Sequence, residues 1–371
     1  MGRQVRREHE IMTGRDRFLT ALRREQPDRV PIWELIINEP TLSGIYGEIG
    51  YFALAEKLGL DAVTVFENHR MQDLGNGRVR DEWGIIWGME SCGVAYPVEG
   101  PIKTKSDLDS YRAPDPHADY RLDTLREAVK RFKGEKAITI CCHEAFEFSH
   151  YLVGLANLMV AYIEDSEFVH RLARIIIDYK KALLKRAVEE GVDVIVSGDD
   201  YAYKTAPLMS PAYFGEYSAP YIAEMARAAH DCGVPFVKHT DGNIRPILDM
   251  IVDAGVDAID PIEPMAGMDI GEVKAKYGDR VAVVGNVDCT EVLTHGTLRD
   301  VIDAVKETIA KASVGGGHII ASSNSIHPGV KPENYRTMVE AALEFGVYPL
   351  DEKMVAEYRT RNYISKYLAQ R

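Results

Sequence analysis

From residue 136 onward, short apolar runs alternate with helical patterns, and this alternation limits the fold more than any other feature of the chain. KAITICC (136–142), DVIVSGDD (193–200), PFVKHTDG (235–242), AIDPIEP (258–264), VAVVGNVD (281–288) and HIIASSNSIHP (318–328) each precede a stretch with helical spacing. The runs are nearly continuous in their apolar character, as expected of parallel strands covered on both faces. The helical stretches close at or near Gly, a common helix C-terminal stop. RVPIWELI (29–36) and AVTVFE (62–67) fit the same scheme, giving eight strand–helix units. The pattern predicts an α/β fold, a single (β/α)8 TIM barrel, with a long insertion from roughly 69 to 134 after the second strand. The insertion carries DEWGIIWG, which reads as a hairpin, and the Pro-rich YRAPDPHADY. A long helix is expected over about 151–190. Residues 13–371 would form the barrel, and residues 1–12 a flexible N-terminal extension. A doubly wound open sheet is the rival, but no G-x-G-x-x-G follows the first strand.

Composition narrows the function classes. A formal charge of −13 argues against nucleic acid as the main partner, because phosphate contacts need clustered Lys and Arg. No run of about 18 apolar residues occurs, so no membrane span is expected. The first residues are basic and polar, unlike a signal peptide. Met-Gly opens the chain, but Arg6 stands where a myristoylation signal prefers Ser or Thr. The five Cys (Cys92, Cys141, Cys142, Cys232 and Cys289) form no C-x-x-C pair, which fits reduced thiols and a cytoplasmic location.

In a barrel of this kind the active site lies at the C-terminal ends of the strands. Those ends carry Glu34 and Asn38; Glu67, Asn68 and His69; His143, Glu144 and Glu147; Asp199 and Asp200; His239 and Asp241; Glu263; Asn286 and Asp288; and Asn324 and His327. The opposite ends carry ordinary loop residues. Carboxylates crowded into one cavity repel, which raises some pKa values or calls for a cation. Helix capping is the plain alternative, and for Asp288 it is the preferred one. Asp199 and Asp200 together exceed what one cap requires. In KHTDG, His239 and Asp241 are two apart on a strand and share a face, so both could reach one ion or one substrate. Zinc accepts such ligands, although a strand-end His also serves as a hydrogen-bonded structural residue. Trp33, Phe66, Phe146, Tyr151, Tyr201 and Tyr203 lie near the same rim and could line an apolar pocket or simply pack.

Three other features read as structural. The glycines of ASVGGGHII precede a strand and so make a helix C-terminal turn rather than a phosphate loop. HEAFEFSH lacks H-E-x-x-H spacing. The C-terminal VAEYRTRNYISKYLAQR looks like a basic amphipathic helix that packs on the barrel or on a second copy in a homodimer.

MTGRDRFLTALRREQPDRVPIWE, GDDYAYKTAPLMSP, KHTDGNI, VGNVDCTEVLTHGT and SSNSIHPGVKPENY together resemble the uroporphyrinogen decarboxylase superfamily. The resemblance spans about residues 12 to 346 and implies a (β/α)8 barrel. It further implies either porphyrinogen decarboxylation or methyl transfer involving corrinoid proteins or thiols. Decarboxylases carry an Arg-rich segment after the first strand, where this chain has IWELIINEP. Their Asp after the second strand matches Asn68, beside Glu67. Their His in the last strand's turn matches Asn324, and their Tyr after the third strand matches Tyr151.

Zinc-dependent methyltransferases of the superfamily carry His-x-Cys after the fifth strand and a Cys after the eighth. Here the His is kept as His239, Asp241 replaces the first thiolate, and Asn324 the second, with His327 three residues on. Oxygen and nitrogen ligands make a metal a stronger Lewis acid than thiolates do. The resemblance therefore implies a methyltransferase that takes a methyl group from a small donor, a methoxylated aromatic or a methylamine, to a corrinoid (cobalamin) on a partner protein. In that reading a divalent metal, expected to be zinc, is held by His239 and Asp241, completed by Glu263, His327 or Glu144. Asp199, Asp200 and Glu144 act catalytically, and Trp33, Glu67, Asn68, Tyr151, Tyr201 and Asn324 bind substrate. The alternatives are a uroporphyrinogen-type decarboxylase and a non-catalytic ligand-binding barrel.

Overall fold

The structure, a computed structural model, describes residues 12–89 and 95–368. The expected N-terminal extension therefore lies almost wholly outside the described residues. Strands are numbered along the chain: β1 (Ala62–Phe66), β2 (Gln72–Gly75), β3 (Arg78–Arg80), β4 (Ile86–Met89), β5 (Ala95–Glu99), β6 (Ala137–Cys142), β7 (Val194–Ser197), β8 (Phe236–His239), β9 (Ala258–Asp260), β10 (Ala282–Val284) and β11 (His318–Ile319). Among the described residues the main sheet has seven strands in the order β1-β6-β7-β8-β9-β10-β11, every adjacent pair parallel.

Residues 30–37 run between the two edges of that sheet. The Asp61 N–H donates to Ile32 O at 2.9 Å, the Trp33 N–H to Ile320 O at 3.1 Å, and the Ile320 N–H to Pro31 O at 2.9 Å. A parallel bridge joins Ile32 to Ile320. This segment, expected as a strand, makes isolated bridges rather than a ladder; Pro31 has no N–H to add to one. The curled parallel sheet is TIM-like.

Strand alternation sorts side chains into two cores. Ala137, Cys141, Val194, Val196, Val237, Ala258, Ala282 and Val284 face inward, and Phe18 and Leu22 of the helix Gly14–Leu22 pack on the same cluster. Ile138, Ile140, Cys142, Ile195, Phe236 and Ile259 face the surrounding helices. Cys141 and Cys142 thus point to opposite sides, and burial pushes both thiols up.

Between β1 and β6 the chain forms a second, antiparallel sheet of four strands, β2-β3-β4-β5, where the sequence suggests a single hairpin. The long helix expected over 151–190 is three helices: Phe146–Val153, Leu155–Glu164 and Ser166–Glu190. Gly154, at φ +88°, ends the first, and Asp165 caps the third through the Phe168 N–H. No helix among the described residues is long and apolar enough to cross a membrane.

Candidate functional site

Because β6, β7, β8 and β9 are neighbours, four successive strand ends bring His143, Asp199 with Asp200, His239 with Asp241, and Asp260 side by side. The turn after Asp241 needs glycine. Gly242 adopts φ +85°, and a Cβ there would lie 2.5 Å from Ala202 O.

One cluster joins Asp200, His239 and Asp241, whose ligand-type atoms lie within 4.8 Å of one another. His239 Nε2 is 3.6 Å from Asp241 Oδ1 and 4.0 Å from Asp200 Oδ1. The other imidazole nitrogen, Nδ1, pairs with Asp260 Oδ2 at 2.5 Å, which leaves Nε2 facing the two acids. Asn324 Nδ2 donates to Asp241 Oδ2, while Asp241 Oδ1 is buried without a hydrogen-bond partner. Burial and the carboxylate of Asp200 push Asp241 well above the usual carboxylate range. Burial alone would lower His239, but Asp241, Asp260 and Asp200 lift it to about 10.

The second cluster joins His143, Glu147 and Asp199. His143 Nδ1 lies 2.7 Å from Glu147 Oε2 and 3.3 Å from Asp199 Oδ1, ion-pair contacts without hydrogen-bond alignment. Asp199 also caps the helix Phe146–Val153, accepting from the N–H groups of Glu144, Phe146 and Glu147 at 2.9, 2.9 and 3.2 Å. Burial opposes its charge, yet His143, Lys238 and those N–H groups hold it at about 2. Beneath it, Lys238 Nζ and the Tyr201 hydroxyl both donate to Glu144 Oε2 at 2.9 Å. Lys238 and Glu144 side chains are 0% exposed.

Other expected residues stand elsewhere. Glu263 accepts from the Gly242 N–H at 3.0 Å and faces Lys204 at 3.8 Å, so it supports the turn and is not a member of the ligand cluster. His327 is not brought to the cluster. Its Nδ1 accepts from the Gly329 N–H of its own loop at 3.1 Å and its Nε2 meets Thr294 Oγ1, in the helix Val292–His295, at 3.3 Å, so both nitrogens are engaged away from the cluster. Asp200, expected to act on substrate, stands in the same cluster as His239 and Asp241.

Trp33 fills the barrel interior: its Nε1–H donates to Thr64 Oγ1 at 2.9 Å, and its ring meets Phe18 edge-on. It is therefore fully buried packing rather than a substrate-facing wall. Glu67 and Asn68 line a groove of about 570 Å³ beside the first strand ends. Their polar groups are committed, however. Asn68 exchanges hydrogen bonds with Thr124, and Glu67 pairs with Arg121, Lys180 and Tyr179. Tyr151 stands 6.2 Å from the His143 ring, while Tyr203 and Phe66 are exposed. As expected, Asp288 caps, accepting from the Glu291 and Val292 N–H groups.

Asp260 is a site residue without a sequence expectation, and His143 and Glu147 are strand-end residues for which no role is expected. The i, i+4 spacing of His143 and Glu147, across a helix start, was the available signal. Asp260 offered none beyond its position at a strand end.

A TIM-like barrel whose strand ends hold a His/Asp cluster defines the class. The family model for uroporphyrinogen decarboxylase (URO-D) matches residues 89–345, and the chain belongs to that family. It is 25% identical over 364 residues to the uroporphyrinogen decarboxylase of Pelodictyon phaeoclathratiforme, covering 90% of this chain and 98% of that protein. The Chlorobium chlorochromatii enzyme of the same name is 26% identical over 365 residues, with 90% and 98% coverage. Among solved structures, a methyltransferase from Methanosarcina mazei superposes with a TM-score of 0.73 at 22% identity, over 90% of this chain and 99% of that one.

Proposed function

We propose that this protein is a methyltransferase that takes a methyl group from a methoxylated aromatic or a methylamine and passes it to a corrinoid carried by a separate protein. The observation that carries the reading is Asp241 Oδ1, a buried carboxylate oxygen without a hydrogen-bond partner, 3.6 Å from an imidazole nitrogen. Leaving such an oxygen unpaired is costly unless a cation meets it. Asp200, His239 and Asp241 would hold a divalent ion, for which zinc suits the nitrogen and oxygen donors. The Asp260 contact to Nδ1 orients the imidazole, the usual support for a metal-binding His. When bound, the metal would supply Lewis acidity at the donor's heteroatom.

The chain's own groups do the rest. Asn324 fixes Asp241 from across the barrel. Glu144, Lys238 and Tyr201 form a buried polar floor in which the Lys238 charge is met by Glu144 Oε2, while Glu144 Oε1 has no hydrogen-bond partner. The relatives named as decarboxylases raise the second reading. A porphyrinogen is a polycarboxylate, and here its acids would approach strand ends already rich in carboxylates, with Lys238 engaged by Glu144.

The test is metal analysis of the purified protein and of Asp241→Ala, paired with methyl transfer to free cob(I)alamin followed by its absorbance. Stoichiometric metal that is lost with Asp241, together with transfer, is the expected result. Transfer by metal-free protein, or carbon dioxide release from a porphyrinogen with no methyl transfer, would overturn the reading.

A further inference from the structure

The cluster of His143, Glu147 and Asp199 stands apart from Asp200, His239 and Asp241, and its geometry is unlike that of a structural ion pair. His143 Nδ1 is sealed from solvent and turned toward Glu147 and Asp199, at 2.7 and 3.3 Å. The side chain as a whole is nonetheless 30% exposed, against 13% for Glu147 and 0% for Asp199. The exposed edge is therefore the one opposite Nδ1, which carries Nε2. Among the described residues Nε2 makes no hydrogen bond. Two carboxylates thus lie at ion-pair distance from the inner nitrogen and leave the outer one toward the strand ends. An acid placed against one imidazole nitrogen with the other left open is the charge pattern of a proton-transferring His, here as ion pairs rather than an aligned hydrogen bond. The wall beside it is aromatic: the rings of Phe148 and Tyr151 lie 5.4 and 6.2 Å from the imidazole. The ligand cluster begins one residue away along the chain, since Asp199 faces His143 and Asp200 faces His239.

We infer that His143 is a catalytic residue, the proton donor to the leaving heteroatom, with Glu147 and Asp199 as its positioning residues, and that the donor is an aryl methyl ether. The inference rests on the methyl-transfer reading and deepens it. In the step, the methyl carbon bonds to the acceptor's nucleophile and the O–CH3 bond breaks with its electron pair going to oxygen. The proton on His143 Nε2 moves to that oxygen, a phenol departs, and the neutral imidazole is recharged from solvent. A phenolate is basic enough to need that proton, whereas a quaternary ammonium donor leaves as a neutral amine and does not.

Charge supports the assignment. Burial lowers His143, but Glu147 and Asp199 outweigh it and bring the imidazole to about 9, so it carries its proton at neutral pH. The other titratable groups facing it are His150 and Tyr151 on the helix Phe146–Val153. Burial lowers His150 to about 4, which leaves it neutral, and raises the Tyr151 phenol, which keeps its proton, so neither adds a charge beside His143.

The experiment compares wild type, His143→Gln and Glu147→Gln on anisoles whose phenols range from acidic nitrophenols to weakly acidic alkylphenols, with circular dichroism checking the fold. Loss of a general acid should slow the weakly acidic phenols about 100-fold and spare the nitro compounds. Glu147→Gln should show the same pattern more weakly and move the alkaline limb of the pH profile to lower pH. A second arm measures binding of the product phenol by calorimetry, where His143→Gln should weaken affinity about tenfold. A uniform loss across the series, no loss, or unchanged phenol affinity overturns the inference. If the wild type transfers methyl from no donor, the methyl-transfer reading falls by itself, and phenol binding decides the role of His143.

Discussion

Two buried polar networks lie at the strand ends, and they balance their charges differently. Around Glu67, the carboxylate meets Arg121 at 3.0 Å and Lys180 at 3.4 Å, and Tyr179 donates to it. Burial alone would raise Glu67, but Lys180, His69, Tyr179 and Arg121 hold it below its ordinary value. Around His239, the acids Asp200, Asp241 and Asp260 share one imidazole, and burial with Asp200 drives Asp241 upward. In the first network opposite charges match, and its orphaned atom is a ring nitrogen, His69 Nδ1. The second has acid to spare and an orphaned oxygen. Burial of charge therefore marks structure when opposite charges match, and marks a site when one sign is left over.

The largest expected effect separates the two networks by function. Asp241→Asn should cut methyl transfer on the order of 1,000-fold, about 4 kcal/mol, while the melting temperature of the metal-free protein stays level or rises. A fall in stability would mean that Asp241 is matched after all. Next, Arg121→Ala should lower unfolding free energy by about 3 kcal/mol in denaturant titrations, because it strands the buried Glu67; a near-neutral result would erase the contrast from the other side.

A smaller effect concerns Glu34, which burial raises to about 8 although Ser322 donates to both its oxygens. The folded state keeps the Glu34 proton that the unfolded chain releases near 4.5, so stability falls as pH rises from about 4.5 to about 8. Glu34→Gln should remove that slope, equalling wild type near the lower pH and exceeding it by roughly 1–3 kcal/mol at pH 8 in chemical denaturation. The smallest effect is at His327. Its replacement by Ala should leave metal content unchanged and cost about 1 kcal/mol, since its contacts to Gly329 and Thr294 are lost. Loss of metal there would return His327 to the ligand set.

Much of this molecule was legible in its one-dimensional pattern. The apolar runs mark the strands because a parallel sheet buries both faces, and the polar residues that break each run mark the C-terminal ends. His239 and Asp241 were legible as a pair because strand geometry puts i and i+2 on one side. The rest was not. Asn68 and Glu67 carry the same residue types as a site, yet Thr124 and Arg121, more than fifty positions away, absorb them. His327 follows Asn324 by three residues, but the loop turns its ring back on Gly329 and Thr294. Asp260 became visible only when β9 lay against β8 and set its carboxylate on His239 Nδ1.

The order of apolar runs, glycine stops and strand-end acids determined by itself that a parallel sheet would form and that polar chemistry would gather at one end, because periodicity and burial act over a few residues. Which acids were paired, which were left unpaired, and which histidine nitrogen faced the mouth were decided only by the tertiary structure. Pairing between charges depends on ångström distances between strands far apart in the chain, and local sequence carries no record of those distances.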